Sequence, residues 1–240
     1  GAPLRVVSPQ VPGLRLDARG CACFDFAGRG ARFEQLRVGL PGAFQAQNAT
    51  LALAAYEELL EGGVIDVPLE ERAVRVALAS ARLPGRAEHI GRELSGRCDV
   101  LLDGAHNADK IAALASTLEA TGAQLHLVTG ALSGRAVADA LAPLARRART
   151  VVASEPRVYA KPAQPAAELA AALAAHHDGR VFAERDASRA LDLALDRAGA
   201  DDLVVVTGSL YLVGALRDRF YPWQRVLIER TSWPATRAAS

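Results

Sequence analysis

Methionine is absent from this 240-residue chain, lysine occurs only at Lys110 and Lys161, and aromatic residues make up 5%. The three cysteines, Cys21, Cys23 and Cys98, are an odd number in a chain this long and do not form a disulfide framework. Cys21 and Cys23 stand one residue apart, with no second pair or close histidine to complete a four-ligand zinc site, so no residue of the chain is assigned to a metal. No apolar run approaches the roughly 18 residues that a membrane helix needs, and the opening GAPLRVVSPQVPG lacks the apolar stretch of a secretory signal. With 28 basic and 27 acidic residues the net charge is +1, which gives no field to favour nucleic acid or an anionic membrane. The expectation is a cytoplasmic protein with neither partner. Scarce lysine also excludes a Walker-type phosphate loop, because Lys110 follows Asp109 and Lys161 follows Ala160 rather than glycine. Gly28-Arg29-Gly30 lacks the third glycine of a dinucleotide fingerprint and reads as a turn. A chain that begins at Gly1 and contains no methionine has two readings: removal of an initiator before a small residue, or the C-terminal piece of a longer protein.

What is present is a globular composition. Half the residues are hydrophobic and 23% are charged. A chain of this length buries roughly 70–75% of its unfolded surface and needs no staple. Alanine, about a fifth of the chain, reflects base composition rather than function. Residues 1–40 read as short strands, around 23–26 and 32–38, punctuated by Gly20, Gly28 and Gly30. From Gln45 apolar residues recur at three-to-four-residue spacing (Leu51, Ala55, Leu59, Leu60) up to Gly62-Gly63, predicting a helix; a second helix is predicted over 68–81. Leu83-Pro84-Gly85-Arg86 stops it and makes a joint. Beyond it strands near 88–94, 99–102, 124–129, 149–153, 180–183 and 203–207 alternate with helices over 107–121, 135–146, 165–176, 186–198 and 209–219. Continuous apolar strands interleaved with helices predict an α/β doubly wound, mostly parallel sheet over 85–220. The last twenty residues, with Val226-Leu227-Ile228, read as an edge strand or a loosely held tail.

In such a sheet ligands bind at the carboxyl ends of the strands, where four loops qualify, over 103–107, 130–134, 154–161 and 208–211. Asp103-Gly104-Ala105-His106-Asn107 is the richest loop there. Asp103 has the chemistry to accept from ribose hydroxyls and His106 to donate to a carboxylate, although Asp before Gly at a strand end is also ordinary turn chemistry. Asn107 reads as a helix cap. Ser209, after Gly208, reads as a cap whose hydroxyl and neighbouring free N–H groups also suit a carboxylate or phosphate. Cys98 reads as core, His176-His177 as complementing a helix dipole, and Arg146, Arg147 and Arg149 as a solvated helix end.

Four segments in register carry a resemblance: Leu40-Pro41-Gly42-Ala43-Phe44-Gln45-Ala46-Gln47-Asn48-Ala49, Leu83-Pro84-Gly85-Arg86-Ala87-Glu88, Asp103-Gly104-Ala105-His106-Asn107, and Gly208-Ser209-Leu210-Tyr211-Leu212-Val213-Gly214. Together they resemble the second half of the folylpolyglutamate synthase/dihydrofolate synthase family, within the Mur-ligase group of ATP-dependent amide ligases. The resemblance implies a remnant of a central ATPase domain over 1–84, a Rossmann-like glutamate-binding domain over 85–220 and a tail over 221–240. It implies ATP and Mg2+ as cofactors and conversion of a folate carboxylate (dihydropteroate or tetrahydrofolate) to an acyl phosphate that the amine of L-glutamate attacks. It assigns Asn48 to adenine, Arg86 to the bound nucleotide, Asp103 to ribose, and His106 and Ser209 to the glutamate pocket, with His106 the candidate catalytic group. A monomer is implied.

Two departures stand out. Ala108 replaces the proline usual after the Asp-Gly-Ala-His-Asn run, and Leu132-Ser133-Gly134-Arg135 stands where the family carries Asp-Lys-Asp, leaving Arg135 to supply the positive charge. The family's phosphate loop, magnesium ligands and most of its folate site lie upstream of these motifs, so the chain alone is expected to be inactive. Two other readings are a non-catalytic stand-alone module that lacks the phosphate-loop half, and a Mur-type ligase for another acid.

Overall fold

The computed structural model describes residues 4–8, 10–17, 20–119, 121–133 and 137–235. The chain divides into two compact units, one of residues 1–83 with 116–121 and one of residues 84–115 with 122–240.

The first unit opens with three antiparallel strands in spatial order, β1 (Arg15–Leu16), β2 (Cys21–Ala27) and β3 (Arg32–Pro41). Two helices follow, α1 (Phe44–Glu61) and α2 (Glu71–Ala79). Alternation along β2 and β3 sends Ala22, Phe24, Phe26, Phe33, Leu36 and Val38 to a core shared with Ala46, Ala49 and Leu53 of α1 and Val74 of α2. The stripe that α1 buries differs from the expected one. Leu51 and Leu59 are exposed, and the inward face carries Ala46, Ala49, Leu53 and Glu57. A buried carboxylate is costly unless satisfied, and Glu57 is satisfied. It accepts the N–H groups of Arg29, Gly30 and Ala31 at 3.0–3.2 Å and pairs with Arg5 at 2.8 Å. Burial pushes its pKa up, but Arg5 and the N–H groups of Gly30 and Arg29 outweigh that, and the group ends below its ordinary value. Gly28-Arg29-Gly30 is accordingly a turn whose successive amides already hold an anion, the side chain of Glu57.

The second unit is a six-stranded sheet. Its strands are β4 (Glu88–Ile90), β5 (Asp99–Leu102), β6 (Leu125–Thr129), β7 (Ala148–Ala153), β8 (Val181–Ala183) and β9 (Leu203–Thr207), in the spatial order β4-β5-β9-β6-β7-β8. Only β4 runs antiparallel. Between and after the strands lie α3 (Arg92–Ser95), α4 (Ala108–Glu119), α5 (Ala138–Arg147), α6 (Ala166–Leu173), α7 (Ala187–Leu195), α8 (Leu210–Phe220) and α9 (Trp223–Glu229). β6 and β9 are buried at every position. Val100, Leu102, Val128, Val152, Val204 and Val206 pack with Leu191 of α7 and Leu212, Val213 and Leu216 of α8. The alternate residues Leu127, Val151 and Val205 are equally buried on the opposite face, the signature of a sheet covered on both sides. The fold is the doubly wound α/β arrangement.

Several boundaries differ from the sequence reading, among them the second helix, which runs Glu71–Ala79 rather than over 68–81. The strand expected over 88–94 stops at Ile90, because Gly91 opens the short α3, which ends at Gly96 in the left-handed region. The helix expected over 135–146 runs as Ala138–Arg147; residues 134–136, and with them Gly134 and Arg135, lie outside the described residues. Val226-Leu227-Ile228 form neither an edge strand nor a loose tail within the described residues. They belong to α9, which starts after Pro222 with the Trp223 N–H donating to Asp218 Oδ1 at 2.7 Å, and the segment beyond it is anchored through Glu88 and Glu229. His176 and His177 close a 3-10 turn after α6 and bond to α5, to Asp139 Oδ1 and the Ala145 carbonyl, both at 3.0 Å. Cys98 is fully buried core.

Candidate functional site

Parallel pairing of β5 with β9 (Leu102 opposite Val206) and of β9 with β6 (Thr207 opposite Thr129) brings three loops side by side at the carboxyl edge of the second unit. Asp103 continues the ladder, its N–H bonded to the Val206 carbonyl at 3.0 Å. Its carboxylate joins two loops: Oδ1 accepts from Ala105 N and Oδ2 from Ala87 N, each at 2.8 Å. The Gly104 N–H donates to the Gly85 carbonyl at 2.8 Å, so the 84–87 turn and the 103–107 loop are held together twice. Burial pushes the Asp103 pKa above the ordinary value against the pull of both amides, Arg86 and Lys110. The Asp-Gly turn chemistry is thus present, with the carboxylate at the carboxyl edge and bonded to both loops.

The glycines here are close-approach positions. A Cβ on Gly104 would lie inside the Leu210 side chain and 3.3 Å from Arg86 Nη1, which places the guanidinium beside this loop and the start of α8. Gly208 has φ +94°, donates to the Ala105 carbonyl at 2.9 Å, and would bring a Cβ to 2.7 Å from the Gly130 carbonyl. Arg86 makes no hydrogen bond or ion pair among the described residues. His106, half-buried, uses Nδ1 on the Gly104 carbonyl at 2.9 Å, leaving Nε2 as its other hydrogen-bonding atom. Asn107 caps α4, with Oδ1 accepting Lys110 N at 3.0 Å, and Ser209 caps α8, with Oγ accepting Tyr211 N at 3.2 Å. Ser209 is buried. Arg86, Asp103, His106 and Ser209 thus share one edge of one sheet, linked through their loops. Asn48 belongs to the other unit, where it is exposed on α1 with Nδ2 donating to Gln45 Oε1 at 3.0 Å.

Residues 85–210, which contain all four, match the family model described as Mur ligase, glutamate ligase domain. The chain belongs to the Mur ligase family. Dihydrofolate synthase/folylpolyglutamate synthase of Bacillus subtilis is 28% identical over 200 residues, 82% of this chain and 44% of that protein. UDP-N-acetylmuramate–L-alanine ligase of Deinococcus radiodurans is 38% identical over a shorter stretch of 128 residues, 53% of this chain and 23% of that protein. The crystal structure of Mycobacterium tuberculosis folylpolyglutamate synthase complexed with ADP and AMPPCP superposes with a TM-score of 0.72 at 27% identity, covering 88% of this chain and 47% of that one. The chain spans less than half the length of each of these relatives.

In this Mur ligase chain several groups at the same edge escaped the sequence reading. Lys161 lies 5.7 Å from the Tyr211 ring centroid and 3.4 Å from its hydroxyl, brought there because residues 162–164 pair with residues 131–133. The sequence puts the loop ending at Lys161 at this edge but gives the lysine no role; the pairing of two loops brings it to Tyr211. Thr129 Oγ1 is buried beside Gly208 without a hydrogen-bond partner, and Thr207 Oγ1 bonds to the Ala105 carbonyl at 3.3 Å. A cavity of about 630 Å³ opens at the ends of β7 and β8, lined by Glu155, Arg157, Arg185, Asp186 and Arg189, with Arg157–Asp186 and Arg185–Glu155 paired inside it. Among the described residues no three His, Cys, Asp or Glu side chains cluster to hold a metal, and no helix is long and apolar enough to cross a membrane.

Proposed function

We propose that this chain is the C-terminal part of a cytoplasmic, ATP-dependent amide ligase that adds L-glutamate to a folate carboxylate through an acyl phosphate. The observation that carries the proposal is the joining of Arg86, Asp103, His106 and Ser209 through hydrogen-bonded loops at one carboxyl edge. Arg86, which makes no hydrogen bond or ion pair among the described residues, supplies a planar donor fork for nucleotide phosphates. Asp103, whose oxygens each keep a free lone pair, accepts from ribose hydroxyls. Asn48, in the first unit, donates to and accepts from the adenine edge. His106, with Nδ1–H given to the Gly104 carbonyl, holds the glutamate carboxylate through Nε2–H when protonated. The free N–H groups at the start of α8, with the Ser209 hydroxyl, favour the same negative charge. Lys161 beside Tyr211 offers a cation at this edge. Among the described residues no acidic cluster fits a magnesium cage, so no step is assigned to Mg2+ here. Its ligands, the phosphate-binding loop and most of the folate site belong in this reading to a preceding half, and the chain works as a monomer with that half.

The 38% identity to a muramate ligase favours a second reading, in which the same edge serves a Mur-type ligase for another acid. One assay separates the two. ADP release is followed with ATP and either dihydropteroate plus L-glutamate or UDP-N-acetylmuramate plus L-alanine, using the purified 240-residue chain and the complete protein its gene encodes. The expected result is turnover with the folate acid by the complete protein and none by the chain alone. Turnover by the chain alone contradicts the first reading, and turnover only with the muramyl acid transfers the assignment to the second.

A further inference from the structure

Glu88 ends the Leu83–Glu88 motif, yet no role described so far uses it. Its side chain is 4% exposed. Its carboxylate accepts Gly85 N–H at 2.9 Å, Arg217 Nε at 2.8 Å and the Trp233 indole N–H at 2.8 Å. Arg217 in turn donates Nη2 to the Ser232 carbonyl and lies over the rings of Tyr221 and Trp233, 4.7 and 5.9 Å from their centroids. The segment after α9 is further tied by Glu229, which accepts Ala235 N–H at 2.9 Å. The C-terminal segment therefore reaches back to the 84–87 turn through one buried carboxylate. On the other side of that turn Ala87 N–H is held by Asp103, and Arg86 stands between the two anchors. A charge this deep is tolerated only while its partners stay in place, so the cluster has one favoured geometry and transmits it to the turn.

We propose that Glu88 and Trp233 are positioning residues: the Trp233–Glu88–Arg217 cluster uses the C-terminal segment to set the turn that presents Arg86 and Asp103 to the nucleotide. This rests on the nucleotide reading of Arg86 and Asp103. The test is Trp233→Phe in the complete ligase, which removes the indole N–H and keeps a ring beside Arg217. Glu88→Gln is the second variant, and Trp223→Phe on the exposed face of α9 the control. The expected result for Trp233→Phe is a KM for ATP raised roughly fivefold to tenfold, with kcat and the KM for glutamate within about twofold of wild type. Amide exchange in peptides covering 84–88 of the same protein speeds up about tenfold, and the control changes neither. An active wild type whose variants keep the KM for ATP, or raise both KM values and lower kcat alike, overturns this proposal alone. A wild type without ATP- and glutamate-dependent turnover overturns the nucleotide reading and this proposal with it.

Discussion

Asp103 and Asp202 show how two carboxylates of one sheet are tuned in opposite directions. Burial lifts the pKa of Asp103, against the pull of two amide N–H groups, Arg86 and Lys110. Asp202 is lowered, first by the Gly199 N–H at 2.8 Å and then by His126 at 3.0 Å, against its own desolvation. An acid depressed in the folded state adds stability above its unfolded pKa, about 3.9, and loses it as pH falls through the lower folded value. Asp202→Asn should therefore lose less stability than wild type when acidified from pH 5 to pH 3, as read by urea midpoints; parallel curves would remove this role. Gly208 is the other sensitive residue. Gly208→Ala combines a left-handed φ with a clash against a backbone carbonyl, and should cost about 2 kcal/mol or more in urea unfolding. An unchanged midpoint would mean that the three loop ends are looser than described.

At the scale of elements, periodicity made the β/α alternation legible because strands buried on both faces are nearly uninterrupted apolar runs, as at Leu203–Thr207. The inward face of α1 was not legible. Leu51 and Leu59 looked like its stripe, but Glu57 lies inside because three amides and Arg5 satisfy it, and a pattern of apolar residues cannot display a partner fifty residues away. Replacing Glu57 by Ala strands those N–H groups and Arg5, and should cost about 3 kcal/mol, visible as faster hydrogen exchange across β2, β3 and α1; native protection there would contradict it. The C-terminal segment failed for the same reason, since Trp233 gains its place from Glu88, 145 residues earlier. In the candidate site, the loop residues Asp103 and His106 could be read from their position after a buried strand. Lys161 could be placed at this edge as the end of the 154–161 loop, but its contact with Tyr211 could not, because that depends on the pairing of two loops.

At the scale of the molecule, the chain holds two compact units and spans less than half of its relatives. The second unit carries one family match over 85–210 and the loops that define its carboxyl edge. The proposed function divides labour along that edge, with nucleotide at Asp103 and amino acid at His106. The most direct measurement is steady-state kinetics of Asp103→Ala and His106→Ala in the complete ligase, varying ATP and glutamate separately. The expected result is a KM for ATP raised about tenfold in the first with glutamate unaffected, and a KM for glutamate raised about tenfold in the second with ATP unaffected, each the loss of roughly one charge-assisted hydrogen bond. Wild-type values for both substrates in both variants, or the same change in each, would contradict it.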